Sequence, residues 1–72
     1  MKNEKETKSL VRQFFKDSYN FWKREGKCDN EAYSLALKEA ANIKHDPFIP
    51  YGEPLDEKAK IECIMEIRRG MK

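Results

Sequence analysis

Residues 9–26 read SLVRQFFKDSYNFWKREG, and this run constrains the architecture more strongly than any other part of the chain. At about 100° per residue, its charged side chains fall on one half of a helix and its apolar side chains on the other. Asn3 and Glu6 match a capping box, and Gly26 is a typical helix stop. We therefore predict a first helix over residues 4–25. Its apolar half is wide enough to contact two neighbouring helices and comprises Leu10, Val11, Phe14, Phe15, Ser18, Tyr19, Phe21 and Trp22.

Two shorter helices are predicted downstream. The second covers residues 31–44 and is capped by Asp29 or Asn30. Its alanine-rich face allows close approach to the aromatic face of the first helix, because protein interiors pack large side chains against small ones. The third covers residues 55–69 and follows Pro54, which suits a first helical position. We expect its core face to comprise Leu55, Ala59, Cys63, Ile67 and Met71.

The segment between the second and third helices contains all three prolines, which exclude a helix there. It is also rich in large apolar side chains, so we expect it to cross the end of the bundle with Phe48 and Ile49 inserted in the core. Pro47 and Pro50 match the minimal polyproline-ligand pattern, but burial of the residues between them argues against that use. The predicted fold class is all-α: a compact three-helix bundle, a single helical domain over residues 1–72, with a Pro-rich extended loop between helices 2 and 3.

The composition fits a small domain in which every large apolar side chain matters to the core. The 72 residues include 15 basic and 13 acidic ones, and the net charge of +2 is too small to indicate a nucleic-acid-binding protein by itself. The chain begins with a charged segment, and no apolar run approaches the roughly 18 residues of a membrane span. We therefore expect a cytoplasmic protein without membrane association, with Cys28 and Cys63 as reduced thiols; the alternative is a disulfide between them.

The side chains that catalysis requires are poorly represented. His45 is the only histidine, and no Gly-rich phosphate loop, Cys-x-x-Cys or His-x-x-x-His pattern occurs. Cys28 precedes a predicted helix, but no base accompanies it to activate its thiol. Glu53, Asp56 and Glu57 fit solvated charges near a helix start better than a pair of catalytic acids. We therefore predict no catalytic residues, no metal site, no cofactor and no enzymatic activity.

A basic strip follows the polar half of the first helix, and the acids of that helix fall elsewhere around its circumference. Such a strip suits a phosphate backbone or an acidic partner protein, whereas the alternative is an ordinary solvated helix face. The basic strip comprises Lys5, Lys8, Arg12, Lys16 and Lys23.

A few apolar residues fall outside the predicted core faces. Leu35 lies on the second helix, and Ile61 and Met65 lie on the third. With Tyr51 they either form an exposed patch, which is typical of an interface, or lie beneath the Pro-rich segment.

These features favour a small non-enzymatic protein-interaction module, such as an accessory subunit, an adaptor or an inhibitor. We expect it to act by binding a protein partner or by associating with itself as a homodimer. The alternative is a nucleic-acid-binding accessory protein that uses the basic strip.

Overall fold

Three α-helices make up most of the structure, a computed structural model that describes residues 1–70. They are α1 (Glu4–Arg24), α2 (Asp29–Asn42) and α3 (Glu57–Gly70). Each helix packs against the other two, and no strand occurs within the described range. The predicted all-α three-helix bundle is confirmed. Met71, which we predicted for the core face of the third helix, lies outside the described residues.

Both ends of α1 form as the sequence indicates. The Glu6 N–H donates to Asn3 Oδ1 at 2.8 Å, and the Asn3 N–H donates to Glu6 Oε1 at 3.4 Å, which completes the capping box. At the other end Gly26 adopts a φ of 96°, a left-handed conformation that lets the chain leave a helix. The helix ends at Arg24, just short of the predicted limit.

The start of α2 is earlier than predicted, and the predicted caps are wrong. Asp29 and Asn30 are the first helical residues, and Cys28 is the N-cap residue without a side-chain hydrogen bond. The Asp29 carboxylate is engaged by α1, because it accepts hydrogen bonds from the Tyr19 hydroxyl at 3.1 Å and from the Lys23 ammonium. Contacts between the helices thus take the place of local capping.

The chain also leaves α2 earlier and enters α3 later than predicted. Ile43 is already extended, because the chain beyond it pairs with residues that precede α3: the Leu55 N–H donates to the Lys44 carbonyl oxygen at 3.0 Å. The third helix begins at Glu57 because Asp56 caps it. Asp56 Oδ1 accepts hydrogen bonds from backbone N–H groups of the first turn.

The core is built on the small side chains of α2. Ala32, Ala36 and Ala40 are fully buried, which lets α2 approach Val11 and Phe15 of α1 closely. The remaining buried apolar side chains, which come from α3 and the residues before it, are Leu55, Ala59, Cys63 and Ile67.

The Pro-rich segment does not enter the core, so that prediction was wrong. Phe48 is 44% exposed and Ile49 is 53% exposed. Phe48 meets the bundle edge-on at Phe14, with 6.4 Å between ring centroids. Residues 47–51 form turns instead of extending across the end of the bundle. The physical reason is that backbone pairing closes the segment at its base, which directs its middle outward.

One residue of the predicted apolar half of the first helix is also exposed, as is one alanine of the second helix. Phe21 and Ala41 lie in the last turns of α1 and α2, beyond the buried centre of the bundle. The Phe21 ring packs edge-on against Trp22, with 5.0 Å between centroids. The ends of these helices therefore contribute less to the core than their helical periodicity predicts.

Buried polar side chains join the helix ends. Thr7 of α1 is fully buried, and its Oγ1 accepts a hydrogen bond from the Asp56 N–H at 3.0 Å. Lys60 of α3 is 6% exposed, and its Nζ donates to the Ile43 carbonyl oxygen at 2.7 Å and lies 3.0 Å from the Glu57 carboxylate. The start of α3 is thereby joined to α1, and the end of α2 is joined to α3.

We predict that Lys60→Met lowers the free energy of unfolding by about 1–2 kcal/mol, because the Ile43 carbonyl loses its donor while the alkyl stem is retained. Urea denaturation followed by circular dichroism measures the change. Lys58→Met, an exposed substitution on the same helix, is the matched control and should alter stability by less than about 0.5 kcal/mol. Equal effects of the two substitutions would contradict the capping role of Lys60.

Candidate functional site

The basic strip of α1 does not face solvent as a continuous row of charges. Lys8 Nζ and Arg12 Nη2 both contact the Glu66 carboxylate of α3, at 3.2 and 2.6 Å. Lys8 also lies 3.6 Å from Glu4. The hydrogen bond from Lys8, followed by the one from Arg12, holds the pKa of Glu66 below its usual range. These ion pairs join α1 to α3.

A second ion pair engages the C-terminal end of the strip. Lys23 contacts Asp29, and this hydrogen bond raises the pKa of Lys23 and lowers that of Asp29. The Tyr19 hydroxyl donates to the same carboxylate, and burial followed by this hydrogen bond raises the pKa of Tyr19. Within residues 1–70, Lys5 and Lys16 are the members of the strip without a carboxylate oxygen inside 4.0 Å.

A cleft of about 470 Å³ lies between α1 and α3, and no pattern in the sequence predicted it. Phe15 and Ile67 form its apolar part, and Arg12 and Lys16 stand on its polar side with Glu66. Because Glu66 already neutralises Arg12, the cleft combines a small apolar floor with Lys16, a base that has no ion pair within residues 1–70. Its lining mixes polar and apolar side chains and includes the Ser9 hydroxyl.

The four predicted interface residues lie in three separate places. Leu35 is half-buried in a depression beside Lys27 and Asn30, near the link between α1 and α2. Tyr51 projects from the Pro-rich segment. Ile61 and Met65 lie one turn apart on α3 and are 56% and 51% exposed. The Pro-rich segment carries exposed residues of its own. That these four residues form an interface stays a prediction.

The base of the Pro-rich segment is a short antiparallel pairing. His45 and Pro54 form its bridge, and the Asp46 N–H donates to the Glu53 carbonyl oxygen at 3.0 Å. A residue near the N-terminus joins this pairing, because the Lys2 N–H donates to the Pro54 carbonyl oxygen at 2.9 Å. The two ends of the segment are therefore held together by backbone hydrogen bonds.

Asp46 fixes the shape of the segment from inside. Its side chain is buried, accepts a hydrogen bond from the Phe48 N–H at 3.0 Å and lies 3.6 Å from the Lys2 ammonium. Gly52 packs directly against it, and a Cβ there would lie 2.6 Å from Asp46 Cβ and 2.7 Å from its carbonyl oxygen. The turn therefore requires both an Asx-type acceptor and a residue without a side chain.

The loop tip, defined as Phe48, Ile49 and Tyr51, projects from this base. Tyr51 is fully exposed and has a φ of 57°, in the left-handed region that residues other than glycine seldom adopt. From the sequence we assigned only Tyr51 of these three residues to a candidate interface, because the apolar character of Phe48 and Ile49 indicated burial. Asp46 and Gly52 are residue types that favour turns, and this pattern could have predicted a closed turn whose central residues point outward.

The remaining candidate chemical groups stand apart from one another. His45 is exposed, and the Cys28 thiol is exposed beside Glu31, 3.6 Å from its carboxylate. In the part of the chain that the structure describes, no three His, Cys, Asp or Glu side chains are grouped to hold a metal ion. No helix of residues 1–70 is long and apolar enough to cross a membrane.

Comparison of the chain with protein families, with characterised proteins and with solved structures finds no match. The surfaces described above are therefore interpreted from their own chemistry.

We predict that the ion pairs of Glu66 make stability depend on pH. Because its pKa is lower in the folded chain than in the unfolded chain, the contribution is complete above the unfolded value of about 4.3 and is lost as the pH falls through the folded value. Glu66→Gln should therefore lower the melting temperature at pH 7, and the difference from the unmodified chain should shrink towards pH 3.

Thermal melts between pH 7 and pH 3 measure this difference. Glu62→Gln is the matched control, because Glu62 lies one turn earlier on α3 and has no ion pair within 4.0 Å among the described residues. A Glu66→Gln difference that stays constant across this range would show that the ion pairs do not stabilise the fold.

Proposed function

We propose that this protein is a small, non-enzymatic, cytoplasmic protein-interaction module, an accessory subunit, adaptor or inhibitor, that inserts its loop tip into an apolar site on a partner protein. The observation that carries the proposal is the exposure of Phe48, Ile49 and Tyr51 on a base held by backbone hydrogen bonds and a buried carboxylate. Exposed apolar groups of this kind are typical of interaction sites.

The conformation of Tyr51 supports a role outside the isolated fold. A left-handed backbone costs a residue with a side chain about 1–2 kcal/mol, and the fully exposed ring recovers none of this through packing. Local strain without a structural benefit is a feature of ligand-binding segments. In a complex, the partner protein would bury the Tyr51 ring, which is exposed in the free chain.

The hydrogen bonding and close packing of the segment support the same function. A binding loop that is already ordered loses little conformational entropy on association, so more of the burial energy is available as affinity. Tyrosine is also among the residues that most often dominate the energy of interfaces. The pairing at the base and the close packing of Asp46 on Gly52 supply that order here.

The alternative function, nucleic-acid binding through the basic strip, has weaker support. Lys8, Arg12 and Lys23 are already engaged by carboxylates of this chain, and a phosphate backbone would have to displace them. Of the basic strip, only Lys5 and Lys16 have no carboxylate oxygen within 4.0 Å among residues 1–70, so only these two would be available from the start. We therefore favour the protein-interaction function.

Photo-crosslinking in cells tests the proposal. A photoreactive phenylalanine at Ile49 or Tyr51 should form an adduct with the same partner protein, whereas the same group at Asn20 or Lys38, exposed on α1 and α2, should not. The partner is then purified and titrated with the unmodified chain. An adduct that forms equally from all four positions would contradict a specific role for the loop tip.

We predict that Tyr51→Gly separates stability from binding. Removal of the left-handed strain should raise the free energy of unfolding by about 0.5–1 kcal/mol, after allowance for the greater freedom of glycine in the unfolded chain. The same substitution should weaken binding of the purified partner at least about tenfold, as expected for a central aromatic contact. Urea denaturation and calorimetric titration measure the two effects.

Two further variants serve as controls. Phe21→Ser removes an aromatic ring that is similarly exposed but lies on α1, and it should leave partner binding unchanged. Gly52→Ala retains all three tip side chains but forces a shift against Asp46, so it should weaken binding by altering their presentation. If Phe21→Ser reduces affinity as much as Tyr51→Gly, the loop tip is not the binding site.

A further inference from the structure

The outer face of α3 carries an apolar pair that the bundle does not use. Ile61 and Met65 are four residues apart and thus share one helix face. That face is opposite Cys63, which is fully buried against α1. Ile64 adjoins the pair at the edge of the core and is half-buried. The exposed side of α3 therefore has an apolar centre one turn long.

Three basic residues surround this apolar pair. Lys58 precedes it by one turn, and Arg68 and Arg69 follow it by one turn, all with exposed side chains. Among residues 1–70, no carboxylate oxygen lies within 4.0 Å of any of the three, in contrast to Lys8, Arg12 and Lys23 of the basic strip. We call these five residues the α3 outer face: Lys58, Ile61, Met65, Arg68 and Arg69.

Two of the three acids of α3 contact bases of the chain. Glu66 binds Lys8 and Arg12, and Glu57 lies 3.0 Å from the ammonium of Lys60. The pKa of Lys8 is raised first by its hydrogen bond to Glu66 and further by the nearby charge of Glu62. Glu57 and Glu62 border the α3 outer face, four residues before Ile61 and four residues after Lys58, but the face itself carries three bases and no acid.

The helix dipole accounts for only part of this pattern. Basic residues in the last turn interact favourably with the negative end of a helix, which suits Arg68 and Arg69. Lys58 lies in the first turn, where the same field disfavours a cation. Neither the dipole nor the core explains the exposure of Ile61 and Met65 between these charges.

We propose that the α3 outer face binds an acidic amphipathic helix of a partner protein. Apolar side chains of that helix would cover Ile61 and Met65, and carboxylates on either side would contact Lys58 at one end and the two arginines at the other. The distance along the axis from Lys58 to Arg69 is about 16 Å, which corresponds to roughly three turns of a helix. This surface is separate from the loop tip, so the two proposals stand independently.

The charges and the size of the face favour a partner of this chemistry over a second copy of the chain. A symmetric dimer through the α3 outer face would bring its bases against the same bases of the other copy. A stable dimer also buries about 800 Å² of each subunit, roughly a sixth of the 5199 Å² surface of this chain. A nucleic acid would use the bases but would leave Ile61 and Met65 against phosphates.

Titration of the ¹⁵N-labelled full chain with two synthetic helical peptides tests the proposal. Both peptides carry leucines on one face; one has glutamates beside them, and the other has lysines in their place. The acidic peptide should shift the amide signals of α3 and should bind more weakly as salt is added. The basic peptide should produce no such shifts. Equal binding of the two peptides, or shifts confined to the loop tip, would overturn the proposal.

Charge reversal locates the contact. Lys58→Glu should weaken binding of the acidic peptide about three- to tenfold, by the loss of an ion pair and the addition of repulsion. Because an acid suits the first turn of a helix, this variant should fold at least as well as the unmodified chain. Lys5→Glu, which makes the same change of charge on α1, is the matched control and should leave the affinity unchanged.

Met65→Gln tests the apolar contribution and should also weaken the acidic peptide several-fold, whereas pure charge attraction would be unaffected. Sedimentation equilibrium and binding to a DNA duplex or to anionic vesicles test the other occupants. If the chain dimerises and Met65→Gln abolishes the dimer, the occupant is a second copy and the proposal is overturned. The proposal is also overturned if DNA or vesicles displace the acidic peptide from α3 at a concentration below that at which the peptide itself binds.

Discussion

The close approach of α2 to α1 through Ala32, Ala36 and Ala40 is the constraint on which the rest of the structure depends. Because these side chains are small, the bundle has a thin core, and the molecule measures only 15 Å along its shortest axis. A core of this thickness accommodates Val11 and Phe15 but has no room for every aromatic side chain. The thin core limits how many large apolar side chains the bundle can bury.

The same thinness gives polar contacts a larger role at the periphery. Thr7 and Lys60 join helix ends, and Glu66 joins α3 to α1 through its two basic partners. Each contact uses a charge or hydroxyl that would otherwise have been free for a ligand. The loop tip and the outer side of α3 remain available, because their side chains do not hold the helices together.

The sequence predicted the features that depend on residues close together in the chain. It did not predict the features that depend on contacts between residues far apart in the chain. The three helices and the capping box of α1 follow from periodicity and local hydrogen bonding. The pairing of Arg12 with Glu66 joins residues far apart in the chain, so helical spacing alone suggested a free basic strip. Apolar character identified Phe48 and Ile49 but could not indicate on which side of the turn they lie, because that depends on the pairing at its base.

The two thiols differ in exposure, and this difference allows the opening of the folded chain to be measured. Cys28 is exposed, whereas Cys63 is fully buried between α3 and α1, and burial raises the pKa of its thiol. An alkylating reagent should therefore modify Cys28 at once and reach Cys63 only when α3 separates from α1. The slow phase of labelling, measured at increasing reagent concentration, then reports on that separation under native conditions, without any engineered probe.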